Sequence, residues 1–183
     1  MSYSVVLIAI PVLIFFFVVL FYNKFVALRN YVREAFSTMD VYMKKRWDLI
    51  PNLVEIAKAY MEHEKGVFEN IAKLRNINYS SLSNNQKMDV NAQISSGLSS
   101  LFAVAENYPE LKANETFTTL MAELTVVEND IADSRKYYNG CVRELNTAIE
   151  LFPGVIIANI FNFKQEKMFE IDEVQRENIK VQF

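Results

Sequence analysis

Hydrophobic and polar positions alternate in different ways along the chain. Residues 5–21 carry no charge, and Pro11 is the one non-hydrophobic residue among them. A helix that is apolar on every face offers no side to water, so a membrane span fits better than a soluble element. Tyr3 and Tyr22 bracket the run, as an interfacial aromatic belt would. About 20 residues of helix cover roughly 30 Å, the hydrocarbon thickness of a bilayer. Leu7, Phe15, Phe16, Phe17 and Phe21 would then face lipid, and membrane helices tolerate a residue such as Pro11. A cleaved signal peptide fits less well, because no basic segment precedes the run and no small-x-small site follows it.

After the run the pattern becomes periodic. Val32, Phe36, Met39, Met43, Arg46, Ile50, Leu53, Ala57, Tyr60, Glu64, Val67, Ile71 and Leu74 step by four and three in alternation, the seam of a helix in a bundle or coiled coil. Pro51 interrupts it. A proline removes one backbone donor and clashes one turn back, so either a kink or a turn is expected there. Unbroken phase favours the kink, and matched helix lengths favour the turn. The polar stretch 79–85 reads as a loop, with Ser83 or Asn84 as N-cap of a helix running to about Asn107. Tyr108-Pro109 ends that helix. A final long helix begins near residues 111–114, with a seam of Phe117, Met121, Leu124, Glu128, Ala132, Arg135, Asn139, Val142, Asn146 and Ile149, and Phe152-Pro153-Gly154 stops it.

The predicted fold is therefore all-α: an N-terminal transmembrane helix followed by an antiparallel four-helix bundle with long helices. Residues 1–22 form the anchor, 23–163 the bundle and 164–183 a charged tail. Four glycines and four prolines in 183 residues agree with a helical chain. The part beyond the anchor, about 160 residues, suffices for one domain with its own core.

Charge adds a direction. Before the apolar run there is no Lys or Arg; after it come Lys24, Arg29, Arg33, Lys44, Lys45 and Arg46. The positive-inside rule places the C-terminal domain in the cytoplasm and the N-terminus outside, as in a single-pass protein of a bacterial inner membrane. Cys141 is the sole cysteine, which excludes an intrachain disulfide and suits a reducing compartment. The net charge of −3, with no long basic run and no Gly-rich phosphate loop, argues against nucleic acid as a partner.

The motifs Arg46-x-Asp48-Leu49-Ile50-Pro51-Asn52-Leu53-Val54, Tyr60, His63-Glu64 and Tyr108-Pro109-x-Leu111-Lys112-Ala113-Asn114 follow one another in the chain. Glu128-Asn129-x-Ile131-Ala132-x-x-Arg135-x-x-Tyr138-Asn139-x-x-Val142 and Phe152-Pro153 come after them. In order and spacing the set resembles the LemA family over nearly the whole chain. The resemblance implies a single-pass membrane protein with a cytoplasmic antiparallel four-helix bundle. The family includes a magnetosome-membrane branch, and its genes often neighbour those of membrane-bound metalloproteases. It implies an architecture and no reaction.

The residues offer no strong catalytic constellation. A carboxylate-bridged metal pair in a bundle uses two Glu-x-x-His motifs, whereas His63 is the only histidine and Tyr60 stands three residues before it. Glu62, His63 and Glu64 are sequence neighbours and diverge on a helix. Cys141 falls beside the apolar seam, where a small buried thiol is the ordinary reading. No metal, cofactor or catalytic residue is therefore expected, and the protein reads as a non-enzyme.

The polar seam is more informative. Arg46, Glu64, Glu128, Arg135 and Asn139 occupy positions where the phase predicts burial, so they should pair across the bundle and fix its register. Two segments read as candidate interaction surfaces. One is the apolar stretch 151–163, with Ile156, Ile157, Ile160, Phe161 and Phe163. In an up-down-up-down bundle it returns toward the membrane, either to cap the bundle's open end or to dip into the lipid interface. The other is the tail ending in Val181 and Phe183, which could add as a strand to a partner, dock its terminal Phe, or pack on its own domain. The function expected is a non-catalytic membrane scaffold or adaptor that self-associates and binds another membrane protein. The alternative is an accessory subunit of a membrane-bound metalloprotease in envelope quality control. Its partners would be the lipid bilayer, further copies of itself and, in the alternative, a membrane protease.

Overall fold

The structure, a computed structural model, describes residues 2–169, without side chains at positions 2–6, 65, 67, 70 and 75. Its helices are α1 (Ser2–Tyr60), α2 (Lys65–Arg75), α3 (Asn84–Ala105), α4 (Pro109–Lys112), α5 (Glu115–Glu150) and α6 (Gly154–Ile160), with a 3-10 turn at Tyr79–Ser81. The described residues contain no strand. The all-helical class and the long apolar N-terminal helix agree with the sequence pattern.

Local chemistry sets the starts of α3, α4 and α5. Ser83 caps α3: its Oγ accepts from the Gln86 N–H, while the Gln86 side chain accepts from the Ser83 N–H at 2.9 Å. This reciprocal box satisfies two orphan donors at once. Asn114 caps α5 with a single bond, its Oδ1 accepting from the Phe117 N–H at 2.9 Å. Pro109 opens the single turn of α4, where a missing N–H costs nothing.

One helix end departs from expectation. α1 continues through Pro51 without a turn, and the chain breaks at residues 61–64 instead. No proline or glycine occurs there to announce it. Met61, fully buried, holds the corner, and its carbonyl accepts from the Glu64 N–H at 3.1 Å.

The chain forms two compact units, and both α1 and α5 pass through each. In the unit spanning residues 38–135, four helical segments run up, down, up and down. Asp40 and Arg46 of α1 meet Lys87 and Asn91 of α3, so these two helices are parallel. Arg46 meets Glu128 and Tyr60 meets Asn114, so α1 and α5 are antiparallel. Helix α2 lies between α1 and α3, with Ile71 so close to Gly97 that a Cβ there would come within 3.3 Å of its side chain. Leu53, Met61, Leu101, Leu111 and Leu124 are among the innermost residues of this core.

The other unit joins residues 1–37 to 136–168. Phe36 packs edge-on against Tyr138 at 5.7 Å between ring centroids. Phe25, fully buried, touches Phe163 at 5.1 Å. Residues 164–167 are irregular and return along α5: Asn146 donates to the Glu166 carbonyl and accepts from the Glu166 N–H, both at 2.9 Å, and Tyr138 donates its hydroxyl to the Lys167 carbonyl at 2.9 Å.

Candidate functional site

The polar seam centres on Arg46, whose side chain has no exposed surface. Helix α1 places it there because it stands in line with buried Met43, Ile50 and Leu53. One terminal nitrogen donates to Glu128 Oε1 at 2.6 Å and to Ser95 Oγ at 2.9 Å. The other donates to the Asn91 carbonyl at 2.7 Å and to the Asn91 side-chain oxygen. α1, α3 and α5 thus meet at one guanidinium. Glu128 is less enclosed, its side chain being 41% exposed.

Arg135 lies half-buried beside this group, its guanidinium over the Phe169 ring at 5.4 Å from the centroid. Desolvation and the neighbouring Arg46 charge lower its pKa from the ordinary arginine value, against the opposing pull of Glu128. Arg46, Asn91, Ser95, Glu128 and Arg135 line a cleft of 290 Å³.

The other expected seam residues lie elsewhere. Glu64 is half-buried and accepts from the Tyr108 hydroxyl at 3.4 Å instead of meeting Arg46. Asn139 is half-buried. The most enclosed residues on α5 are Leu124, Val127, Ile131, Tyr138, Val142 and Leu145, with Ser134 and Cys141 beside them. Glu128, Arg135 and Asn139, which the sequence pattern puts in the seam, sit on their flank, one position after buried Val127, Ser134 and Tyr138.

A second ion pair was invisible in the sequence. Asp40 accepts from Lys87 at 2.5 Å and from the Tyr79 hydroxyl at 2.8 Å, with the Lys87 ammonium also over the Tyr79 ring. Burial, followed by the hydrogen bond and charge of Asp40, pushes the Tyr79 hydroxyl well above its usual range. Nothing in the local pattern around Asp40 signals a partner 47 residues away.

His63 is exposed and Cys141 is buried. The Cys141 thiol meets the Tyr137 hydroxyl, and raises its pKa. Among the described residues no three His, Cys, Asp or Glu side chains cluster to hold a metal.

The apolar residues divide into two sets. The most apolar stretch of α1, with a mean hydropathy of 2.2, buries none of itself inside the protein. Leu7 is 76% exposed and Leu20 68%, and Pro11, Phe15, Phe16, Phe17 and Tyr22 are exposed too. Phe21 is half-buried, stacked on Phe17 at 4.6 Å. Tyr3 lies within α1, and its side chain is outside the description. In the 151–163 stretch, Ile157 is buried, and Phe163 is half-buried between Phe25 and the Arg29 guanidinium. Ile156, Ile160 and Phe161 face outward. Val181 and Phe183 fall outside the described residues.

Comparison with known proteins agrees with the motif reading. Residues 35–183 match the LemA family. The chain is 23% identical over 175 residues to magnetosome protein MamQ 2 of Paramagnetospirillum magneticum, across 81% of this chain and 64% of that protein. It is 22% identical over 174 residues to magnetosome protein MamQ of Magnetospirillum gryphiswaldense, with the same coverage. Protein LemA of Metamycoplasma hominis is 22% identical over 161 residues, covering 86% of this chain and 72% of that protein. The chain thus spans less than two thirds of the length of the magnetosome relatives. With most of its length, from the Phe36–Tyr138 packing pair to the Arg46 ion-pair group, inside the matched region, the chain belongs to the LemA family.

Proposed function

We propose that this protein is a non-catalytic scaffold, held to a bacterial inner membrane by the first part of α1, with its N-terminus outside and its remaining helices in the cytoplasm. The observation that carries this reading is the exposed apolar stretch of α1. A helix that leaves residues such as Leu7, Leu13, Phe16 and Leu20 uncovered needs an apolar solvent, and its length matches a bilayer. The basic residues after it, Lys24, Arg29 and Arg33, support the orientation. Relatives named as magnetosome proteins fit a membrane setting.

The scaffold part rests on chemistry. The two terminal nitrogens of Arg46 donate to Glu128, Ser95 and Asn91, on two other helices, which is what a register-fixing group does. Anchoring confines the protein to two dimensions, which raises its effective concentration and favours self-association and capture of a second membrane protein. The test is a native mass measurement of the full chain in mild detergent, with elemental analysis. A homo-oligomer without stoichiometric metal, alone or with a bound membrane protein, is the expected result. A strict monomer with no companion overturns the scaffold, and stoichiometric metal overturns its non-catalytic character. A protease in the complex would favour an accessory subunit.

A further inference from the structure

Helix α6 and the turn before it present two faces. The inner face is closely fitted. A Cβ on Gly154 would lie 2.3 Å from the Ala148 carbonyl oxygen and 3.2 Å from the Phe25 ring, while Ile157 and Ala158 are buried. The outer face is apolar and uncovered: Phe152 is 79% exposed and Ile160 66%, with Leu151, Ile156 and Phe161 beside them. Five large apolar side chains on an element of seven helical residues and its turns form a patch, and such a patch marks a contact.

Its height along α1 identifies the contact. Phe36 of α1 packs on Tyr138 of the antiparallel α5. Glu150, the last residue of α5, lies twelve residues after Tyr138, so equal rise brings the end of that helix level with residue 24 of α1, within a turn of Tyr22, and Leu151 and Phe152 follow directly. Ring contacts give the same level independently, since Tyr22 meets Phe161 at 4.9 Å and Phe163 at 5.7 Å. Tyr22 closes the apolar run at the membrane boundary. The flanking cations suit a headgroup layer: Lys24, Lys164 and Lys167 are exposed, and Arg29 packs over Phe163.

We infer that Leu151, Phe152, Ile156, Ile160 and Phe161 insert into the cytoplasmic boundary of the same bilayer that α1 crosses. This rests on the anchor reading and goes beyond it. A lone spanning helix is free to tilt and to roll about its axis. A second lipid contact on one side of it removes both freedoms, so α6 acts as an outrigger that fixes the orientation of this unit on the membrane.

The test uses the full chain in liposomes of zwitterionic and anionic lipid, with C141A as background and single spin labels introduced by F152C, I160C, L13C and R143C. Arg143 is an exposed residue on α5, at a level about 13 Å beyond Tyr22 by helical rise. The readout is relaxation by oxygen, which concentrates in lipid, against relaxation by a water-soluble nickel chelate. The expected result is an oxygen-to-nickel ratio at F152C and I160C several-fold above that at R143C and approaching L13C. Ratios equal to R143C, with L13C still lipid-like, overturn the insertion while leaving the anchor intact. Shielding of F152C and I160C from both reagents means a protein surface covers the patch, and also overturns it. A water-exposed L13C overturns the anchor, and the insertion with it.

Discussion

Arg46 and Glu128 form an unequal pair: the cation is enclosed, while the carboxylate keeps 41% of its surface. The inequality sets the outcome of mutation. Glu128→Ala strands a buried guanidinium with only neutral acceptors, which should cost about 3–5 kcal/mol. Arg46→Met keeps the volume and releases a carboxylate that water can reach, so it should cost clearly less and leave the bundle folded. Urea melts of the two variants give the order, and a larger loss from Arg46→Met would refute the argument. The tyrosines make a second prediction at this scale. Burial, helped by Glu166, pushes the Tyr138 hydroxyl up from 10.0 to about 12. The unfolded chain ionises first, so the contribution of this group is complete below pH 10 and is lost as pH rises toward 12. Wild type should lose stability across that alkaline window, and Tyr138→Phe should lose less. The seam position of Arg46 was legible, because its neighbours at steps of three and four are apolar. Its partners were less so, since Glu128 is 82 residues away and periodicity carries no pairing information. Glu64 shows the limit, having the right phase but Tyr108 as its partner.

At the scale of the element, the phase of α1 was readable from Val32 to Ala57 because each seam residue faces a core: Val32, Phe36, Met39, Met43, Ile50, Leu53 and Ala57 are all buried. On α5 the same reading holds at Phe117, Leu124, Val142 and Ile149, which are buried, and slips by one position between residues 127 and 138. There the polar Ser134 lies in the buried stripe, its hydroxyl satisfied by the Asp130 carbonyl at 2.8 Å, so apolarity no longer marks the inner face. The corner at 61–64 was hidden for a related reason, since Ala57, Tyr60, Val67 and Ile71 keep the steps of three and four across it in the sequence. Pro51 allowed a kink or a turn, and α1 runs through it without the turn. Gly154 is the element's most constrained position. Gly154→Ala would drive a Cβ into the Ala148 carbonyl, and the strain of relief should cost about 1–3 kcal/mol. The loss should be local first: amide exchange across α6 should accelerate while α3 exchange stays unchanged. Equal acceleration in both helices would mean that α6 is no separate packing element.

For the whole molecule, the decisive quantity is the placement of charge around one apolar helix. Lys24, Arg29 and Arg33 follow the apolar run, and Arg29 additionally packs on Phe163. Positive residues close to a span resist translocation, whereas acidic ones count for little. The N-terminal end should therefore lie outside and the α5 surface inside. In a C141A background, cysteines introduced by S2C and R143C report the two ends. A membrane-impermeant maleimide applied to intact cells should modify S2C and spare R143C until the membrane is opened. The reverse pattern would invert the orientation. Labelling of both positions on intact cells would mean that the apolar run does not separate two compartments. Adding three arginines immediately before residue 5 should shift the labelling toward the inverted pattern, because they would match Lys24, Arg29 and Arg33, the basic residues nearest the other end of the run.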